Sequence, residues 1–366
     1  MGSGSDSGTA THRLRIAQAE VVLAALAFAA SVPVTKLLLA GVSPLALSSA
    51  VYISAGVLCG VLVLFSKKPT TPGGETRSIR GSEWAWLAGA VVSGAVLAPV
   101  LLFVGLKQVS GHQAGLLLNF EAVFTVGLGV LFSGEHLGRR GWLGALAIIT
   151  GAVLLSIPAE SSGDSSIRWT GIALVVGACA FWGLDNNLTQ RVSLRDARQI
   201  VAVKGLAGGM TSLLLAAAFG GFGDWNALRL MAAAIVGAVS FGLSIVLFVR
   251  GLRHLGVLQT GMLFALAPGF AALLSWIFLR EPVVISSLFA LGSMTAGALL
   301  LATDRHEHAH THEALEHAHV HDHDEHHQHE HTPEQLAQSP HAHPHHHQPL
   351  GHTHAHVHDV HHRHRH

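Results

Sequence analysis

The chain has 366 residues, of which 50% are hydrophobic and only 12% are charged, and its 22 basic and 22 acidic side chains balance to a formal net charge of zero. This composition excludes a disordered chain and argues against an ordinary soluble domain, and without a basic patch it gives no support for nucleic acid as a partner. Ten acidic residues lie between Asp304 and Asp359. The first 303 residues are therefore more apolar than the average suggests.

Ten apolar stretches are long enough to cross a membrane, since a spanning helix needs about 20 mostly apolar residues. A polar segment, 1–17, precedes them, and the run after it predicts a transmembrane helix rather than a cleaved signal peptide. The predicted helices cover roughly 18–40, 44–65, 84–106, 110–132, 140–158, 169–189, 199–220, 228–250, 257–279 and 282–302. The fold class predicted is therefore an all-α integral membrane protein with ten transmembrane helices.

The second part of this apolar region repeats the first. The segment Gly105–Ile157, shifted by 146 positions, falls without a gap on Gly251–Thr303, and Gln113, Glu135 and Gly151 each meet an identical residue. The loop 159–168 divides the chain into two units of five helices, 18–158 and 169–303. Because five is odd, the second unit enters the membrane from the opposite side. We therefore expect two inverted five-helix repeats with a substrate path between them.

The placement of Lys and Arg predicts the orientation. With the N-terminus in the cytoplasm, the cytoplasmic segments carry 13 of these residues and the outer segments carry five. Cytoplasmic loops are the ones enriched in Lys and Arg. We therefore expect both termini on the cytoplasmic side of a bacterial-type inner membrane.

Several motifs resemble those of one family. The first helix of the second half ends in Ala180-Phe-Trp-Gly-Leu-Asp-Asn-Asn187, and each half has a Glu after its fourth helix, at Glu135 and Glu281. Over about 18–303 the chain is similar to EamA-type permeases of the drug/metabolite transporter superfamily. The resemblance implies transport of amino acids, metabolites or drugs by a secondary carrier. The first half departs from the pattern, with Ala122 where the repeat places Pro268.

Glu121 is the sharpest candidate for a substrate or coupling residue. It is predicted near the middle of the fourth helix together with Asn119. An ionised carboxylate at mid-bilayer costs on the order of 3 kcal/mol, so this side chain must face the bundle interior, pair, or carry a proton. Burial favours the protonated form, which suits a proton relay. The alternative is a carboxylate paired with Lys or Arg for packing or assembly.

Four further residues are predicted near the same site. Asp185, Asn186 and their neighbour Asn187 span nearly a full helical turn and cannot all face lipid, and Trp182 precedes them. They could form the cavity, or they could mark a helix end at the membrane surface. Lys204 could pair with Asp185 or Glu121, or reach the cytoplasmic interface.

Glu135 and Glu281 suggest a structural task instead, because they recur in both halves. We expect each to bond a neighbouring helix end or an Arg such as Arg139 or Arg140. Lys36 is predicted at the outer end of the first helix.

The tail, 304–366, contains 25 of the 29 His residues and several prolines, which predicts a disordered cytoplasmic segment. Its imidazoles could bind Zn, Ni, Co or Cu with low specificity. A charge brush that responds to pH and a tolerated low-complexity tail are the alternatives. The ligands predicted are His306, His308, His310, His312, His317, His319, His321 and His323.

The leading hypothesis is a permease for small polar metabolites, amino acids or drugs that works by alternating access, with efflux expected. It needs no cofactor, and its expected partners are a small-molecule substrate and the lipid bilayer. Coupling to a proton and a homodimer are both left open. The alternatives are a divalent metal transporter or metal-regulated permease that uses the tail, and a membrane sensor of metal or pH. An enzyme is not expected, because no nucleophile with a base and no phosphate-binding loop is found.

Overall fold

The computed structural model describes residues 4–65, 79, 81, 83–133, 137–156, 165–192 and 196–303, and four short segments of the tail. Almost all of the described residues before the tail are helical. In the first half the helices are α1 Gly4–Leu38, α2 Pro44–Leu64, α3 Glu83–Ala90, α4 Ala98–Leu106, α5 Gly111–Leu117, α6 Phe120–Ser133 and α7 Arg139–Ser156. In the second half they are α8 Ser165–Gln190, α9 Ala197–Leu215, α10 Ala227–Ile235, α11 Ser244–Phe264, α12 Ala267–Leu279 and α13 Ile285–Ala302.

Local sequence explains where several helices begin. Ser43 accepts a bond from the backbone N–H of Ala46 at the start of α2, and Pro44 occupies the first turn, where its missing N–H costs nothing. Asp196 and Asn226 cap α9 and α10 in the same way. At α5, Ser110 and Gln113 form a reciprocal capping box.

The helices pair across the two halves rather than within each half. Helix α2 packs on α9, α5 on α12, and α7 on α13, while α1 packs on α12 as α6 packs on α8. The first three pairs join a helix to its own repeat partner. The last two are equivalent contacts, in which the first helix of one half packs on the fourth helix of the other. This pattern is the one expected of inverted repeats related by a pseudo-two-fold axis.

Close approach of α2 and α9 depends on glycine. A side chain at Gly205 would meet the backbone of Gly56 at 2.7 Å and the carbonyl oxygen of Tyr52 at 2.6 Å. Because hydrophobic burial gives no drive between helices in lipid, such close backbone packing supplies the association.

Both halves interrupt their fourth helix at equivalent places. In the second half, α12 begins at Ala267 with Pro268 in its first turn. In the first half, α5 ends at Leu117 and α6 begins at Phe120, although no proline is present. The continuous helix predicted over 110–132 is therefore wrong at one point, and Glu121 lies in the first turn of α6 rather than inside an unbroken helix.

The third helix of each half contains a π-helical segment. These segments are Val91–Leu97 between α3 and α4, and Val236–Leu243 between α10 and α11. A π-helical turn disturbs the regular ladder of backbone bonds and often occurs at functional sites. Helix α11 continues as far as Phe264, through the boundary that the sequence predicted between 250 and 257.

Nine helices in the part of the chain described are long and apolar enough to cross a membrane. They correspond to nine of the ten predicted spans. The remaining one, 140–158, is present as α7, an 18-residue helix that begins with Arg139 and Arg140. The chain is thus an all-helical multi-pass membrane protein, while the count of ten spans stays a prediction.

The described backbone of the tail forms four strands, β1 His306–His312, β2 Leu315–His321, β3 His341–His347 and β4 Leu350–His356. Strand β1 pairs antiparallel with β4, and β2 with β3. Isolated two-stranded ladders are marginally stable in water. The sequence predicted a disordered tail, and the described tail backbone differs from that prediction only in these two ladders. The disorder of the tail in solution stays a prediction.

Candidate functional site

A cavity of about 680 Å³ lies between the two halves. It is bounded by the π-helical segments Val91–Leu97 and Val236–Leu243, by the start of α6 and by the second half of α8. Pockets of this volume accommodate drug-sized molecules. Its lining residues are Phe28, Tyr52, Ala55, Gly94, Glu121, Thr125, Trp182, Asp185, Asn186, Thr189, Ala197, Ile200, Val201, Lys204, Gly205, Phe241, Ser244, Ile245, Phe248, Val249 and Phe264.

Glu121 lines this cavity from the N-terminal turn of α6. Its Oε1 accepts a bond of 3.0 Å from Nδ2 of Asn186, and the same amide donates to Oγ1 of Thr125 at 3.0 Å. The backbone N–H groups of Glu121 and Ala122 already bond the carbonyl oxygens of Leu118 and Asn119. The dipole of the helix N-terminus still favours a negative charge there. Among the described residues no cation forms an ion pair with Glu121, so its carboxylate is available to a ligand or a proton.

The break before α6 exposes backbone carbonyl groups that need partners. The amide of Asn119 donates to the carbonyl oxygen of Leu116 at 2.9 Å, and the thiol of Cys179 contacts that of Leu117 at 3.5 Å. Asn119 is buried and does not line the cavity. Its amide bonds the backbone beside the helix break instead, and its predicted role at the substrate site stays a prediction.

Asp185 and Lys204 form an ion pair in the cavity wall. Nζ of Lys204 lies 2.6 Å from each carboxylate oxygen, and Oγ1 of Thr189 donates to Asp185 at 3.0 Å. The side chain of Asp185 is only 7% exposed. The two charges cancel, and each is held by the partner's hydrogen bonds, so Lys204 does not extend to the membrane interface. Asn187 instead bonds the carbonyl oxygens of Gly183 and Thr125, both at 2.9 Å.

Gly94, in the first half of the chain, lies directly beside the Asp185 side chain of this ion pair. Its carbonyl oxygen, inside the π-helical segment Val91–Leu97, accepts bonds of 3.0 Å from the hydroxyl of Tyr52 and from Nε1 of Trp182. A Cβ at this position would overlap the carboxylate of Asp185. The π-helical segment therefore supplies a carbonyl acceptor, and the glycine leaves room for the charged pair.

Five aromatic rings form one continuous wall of the cavity, here called the aromatic wall. Phe28 contacts Phe241 and Phe264, each with 5.8 Å between ring centroids. Tyr52 extends the cluster from Phe241 at 5.6 Å, and Phe248 extends it from Phe264 at 4.8 Å. Spacing in the sequence gave no sign of this cluster, because its members come from α1, α2, the segment Val236–Leu243 and α11.

Ser244 is a polar lining residue that the sequence did not indicate. It is fully buried at the start of α11, and its hydroxyl has no hydrogen-bond partner in the described part of the chain. Serine and threonine in helices usually bond a carbonyl one turn back. This hydroxyl is unpaired among the described residues but not exposed, so a molecule in the cavity reaches it only if the side chain of Ser244 rotates.

Polar contacts close the bundle at the end where α1 finishes and α2 begins. Nζ of Lys36 donates to the carbonyl oxygens of Leu106 at 2.8 Å and Val109 at 2.5 Å. Val42 and Gly223 form an antiparallel bridge between the loops that follow α1 and α9. Thr189 and Ala197, by contrast, place the cavity near the opposite end, where α8 finishes and α9 begins.

Glu281 binds a helix end, as the sequence predicted. Its carboxylate accepts bonds from the backbone N–H groups of Gly111 at 2.5 Å and His112 at 2.9 Å, and Oε2 lies 2.7 Å from Nδ1 of His112. Burial acts to raise the pKa of this carboxyl, but the hydrogen bonds from His112 and Gly111 outweigh it, and the pKa is lower than its ordinary value. The equivalent Glu135 lies outside the described residues.

Metal ligands are not clustered in the described side chains: no group of three or more His, Cys, Asp or Glu is found there. The side chains of the tail His residues, from His306 to His323, lie outside that part of the chain. Their predicted metal binding therefore stays a prediction.

The fold and the cavity define a class of protein, the helical multi-pass membrane transporters. A family model described as the EamA-like transporter family matches residues 17–157 and 169–303. The chain belongs to that family, as its motifs predicted.

Its relatives carry the same general description. The chain is 31% identical over 277 residues to an "Uncharacterized transporter" of Methanothermobacter thermautotrophicus, covering 72% of this chain and 80% of the relative. It is 26% identical over 265 residues to the "Uncharacterized transporter YdeK" of Bacillus subtilis, covering 70% and 87%. A crystal structure 18% identical in sequence has the same fold, with a TM-score of 0.57 over 78% of this chain and 96% of that chain.

Proposed function

We propose that the protein is a secondary transporter that carries a small organic molecule through the cavity between its two halves. The observation that supports this most strongly is Glu121, a carboxylate in the cavity wall that forms no ion pair with the described residues. A carboxyl group in a protected site can exchange a proton with each transport cycle. Asn186 and Thr125 position it for that exchange, and the proposal involves no cofactor and no catalytic step.

Alternating access would require the contacts at the closed end to separate. That end is held by Lys36, by Glu281 with His112, and by the bridge between Val42 and Gly223. With both termini in the cytoplasm of a bacterial-type inner membrane, the closed end faces outward and the cavity lies toward the cytoplasm. A cytoplasmic substrate would then enter first, which favours efflux.

The proposal is tested by substituting Glu121 with Gln, which keeps the size of the side chain but removes its charge and its proton. A growth screen of expressing cells with toxic amino-acid analogues, amines and drugs would identify a transported solute. We expect Glu121→Gln to abolish proton-driven transport of that solute in proteoliposomes at normal membrane levels.

Glu20→Gln is the matched control, because Glu20 pairs with Arg250 at 2.8 Å and does not line the cavity. It should leave transport close to that of the unmodified protein. Unchanged proton-driven transport by Glu121→Gln would refute the role of Glu121.

A divalent metal as the substrate is not favoured by the cavity. The cavity has two carboxylates, Glu121 and Asp185. Neither belongs to a group of three metal-ligating side chains in the described residues. Any metal function would therefore belong to the tail.

A further inference from the structure

We propose, on the basis of the proposed transport function, that the substrate is a protonated organic amine with an aromatic body. Its charge would bind Glu121, its apolar part would pack on the aromatic wall, and an N–H group would bond Ser244 after the serine side chain rotates toward the cavity. Three independent features of the cavity lead to this assignment: its charge, its rings and its unpaired hydroxyl.

The charge of the cavity selects against anions. Its charged lining residues are Glu121, Asp185 and Lys204. Because the last two neutralise each other, an ionised Glu121 leaves one negative charge in the cavity wall. A cation compensates that charge, whereas an anion would face repulsion strengthened by the low dielectric.

The same charges disfavour a zwitterion such as a free amino acid. Its carboxylate would need a cationic partner, and Lys204 is the cation among the lining residues. That ammonium already donates to both oxygens of Asp185, at 2.6 Å each, and lies 3.3 Å from Oγ1 of Thr189. Binding the zwitterion would therefore require a buried ion pair to be broken, which is unfavourable.

The rings favour an apolar, aromatic body. The aromatic wall presents five ring systems to the cavity, and the donors nearest to it are already used. The hydroxyl of Tyr52 and the indole N–H of Trp182 both donate to Gly94. A sugar-like solute would leave many of its hydroxyl groups without partners on this wall. Aromatic rings bind favourably to ring faces or edges, and cations bind favourably over ring faces.

Ser244 distinguishes between kinds of cation. Its hydroxyl is buried in the wall without a partner in the described residues. A buried hydroxyl is stabilised when a ligand supplies a hydrogen-bonding group. A protonated amine carries N–H donors and a quaternary ammonium ion carries none, so the amine should bind more tightly.

The experiment compares matched probes on the purified full-length protein by isothermal titration calorimetry. The probes are 1-naphthylmethylamine, its N,N,N-trimethyl derivative, 1-naphthaleneacetate and L-tryptophan, all at pH 7. We expect the amine to bind at least about tenfold more tightly than the anion and the zwitterion, since each tenfold step reflects one good charge-assisted contact. Equal or tighter binding of the anion or the zwitterion would overturn the proposal.

Two variants assign the contacts. Ser244→Ala should weaken the amine by about threefold to tenfold and leave the trimethyl derivative unchanged. Phe28→Leu should weaken both aromatic cations and have no effect on the preference for positive charge. If both cations respond equally to Ser244→Ala, Ser244 does not select the amine.

The outcome is separable from that of the transport proposal. If the growth screen finds an anionic or zwitterionic solute whose transport depends on Glu121, the transport proposal holds and the amine inference fails. If the amine binds but Glu121→Gln still transports with proton coupling, the binding inference holds and the coupling role fails.

Discussion

At the residue scale, the two acidic side chains that matter most have opposite surroundings. Glu121 has an amide and a helix N-terminus as neighbours and no ion pair with the described residues. Glu281 accepts three bonds from one helix start, including the contact with His112. The first arrangement leaves a carboxylate available for chemistry, and the second uses it to hold two elements together.

Glu281→Gln should destabilise the protein in a manner that depends on pH. The pKa of this carboxyl is lowered in the folded state, so its contribution to the free energy of unfolding is complete above the unfolded pKa of about 4.3 and is lost as the pH falls through the folded pKa. Bonds to a charged group contribute about 1.5–3 kcal/mol. We expect a lower Tm in detergent at pH 7 for the variant.

The difference in Tm between the variant and the unmodified protein should shrink as the pH is lowered from 7 toward 3. Glu20→Gln provides the reference, because Glu20 is also a paired carboxylate but its partner, Arg250, is more exposed than His112. A difference that stays constant over this pH range would show that the charge of Glu281 does not contribute to stability.

At the element scale, the site is built where regular helices are interrupted. The break between α5 and α6 places Glu121 at a helix start, and the segment Val91–Leu97 offers the carbonyl of Gly94. The side chains of Asn119 and Cys179 bond the carbonyl oxygens of Leu116 and Leu117 beside the break. Polar backbone at membrane depth is tolerated because it is bonded within the protein or lines a cavity.

Gly94→Ala should disrupt the ion pair of Asp185 and Lys204. The added Cβ would overlap the carboxylate of Asp185, and overpacking of this kind costs about 1–3 kcal/mol. We expect transport of the screened solute to fall by at least about tenfold and the Tm to decrease.

Gly177→Ala is the matched control in this experiment, because its Cβ would make an ordinary contact of 3.7 Å with Leu101. Transport and Tm should both be close to those of the unmodified protein. Full transport by Gly94→Ala would show that the wall near Asp185 adapts and that the glycine is not required.

At the scale of the whole molecule, the membrane part and the tail are separate in sequence. The family match ends at 303, and every lining residue of the cavity precedes that position. The crossed pairing of α2 with α9 and α5 with α12 places the cavity between the halves. Transport should therefore depend on 17–303 alone.

A chain shortened to 1–303 should confer the same growth phenotype for an organic solute as the full chain. Metal binding by the purified protein, measured by titration with NiCl₂, should be lost with the tail, because 25 of the 29 His residues are removed. A Ni, Co, Zn or Cu growth phenotype that disappears with the tail would instead make metal handling the primary function.

Much of this architecture could be predicted from the sequence. Hydropathy located nine of the described spans, the gapless repeat of Gly105–Ile157 indicated inverted halves, and the motif around Trp182 and Glu281 indicated the family. These features are local or periodic, so composition and spacing express them directly. A carboxylate within a membrane-spanning helix is also unusual, so Glu121 could be predicted as a candidate site residue from the sequence alone.

Only the tertiary structure decided which polar groups are used and which remain available. From the sequence, Asn119 was predicted to line the cavity, whereas in the structure its amide bonds a backbone carbonyl. Lys204 was predicted either to pair with Asp185 or Glu121 or to reach the membrane interface, and in the structure it pairs with Asp185. The aromatic wall joins residues from distant helices. The break before α6 could not be predicted from the sequence, because no proline marks it. The physical reason is that helix periodicity fixes the faces of single helices, while partners between helices depend on how those helices cross.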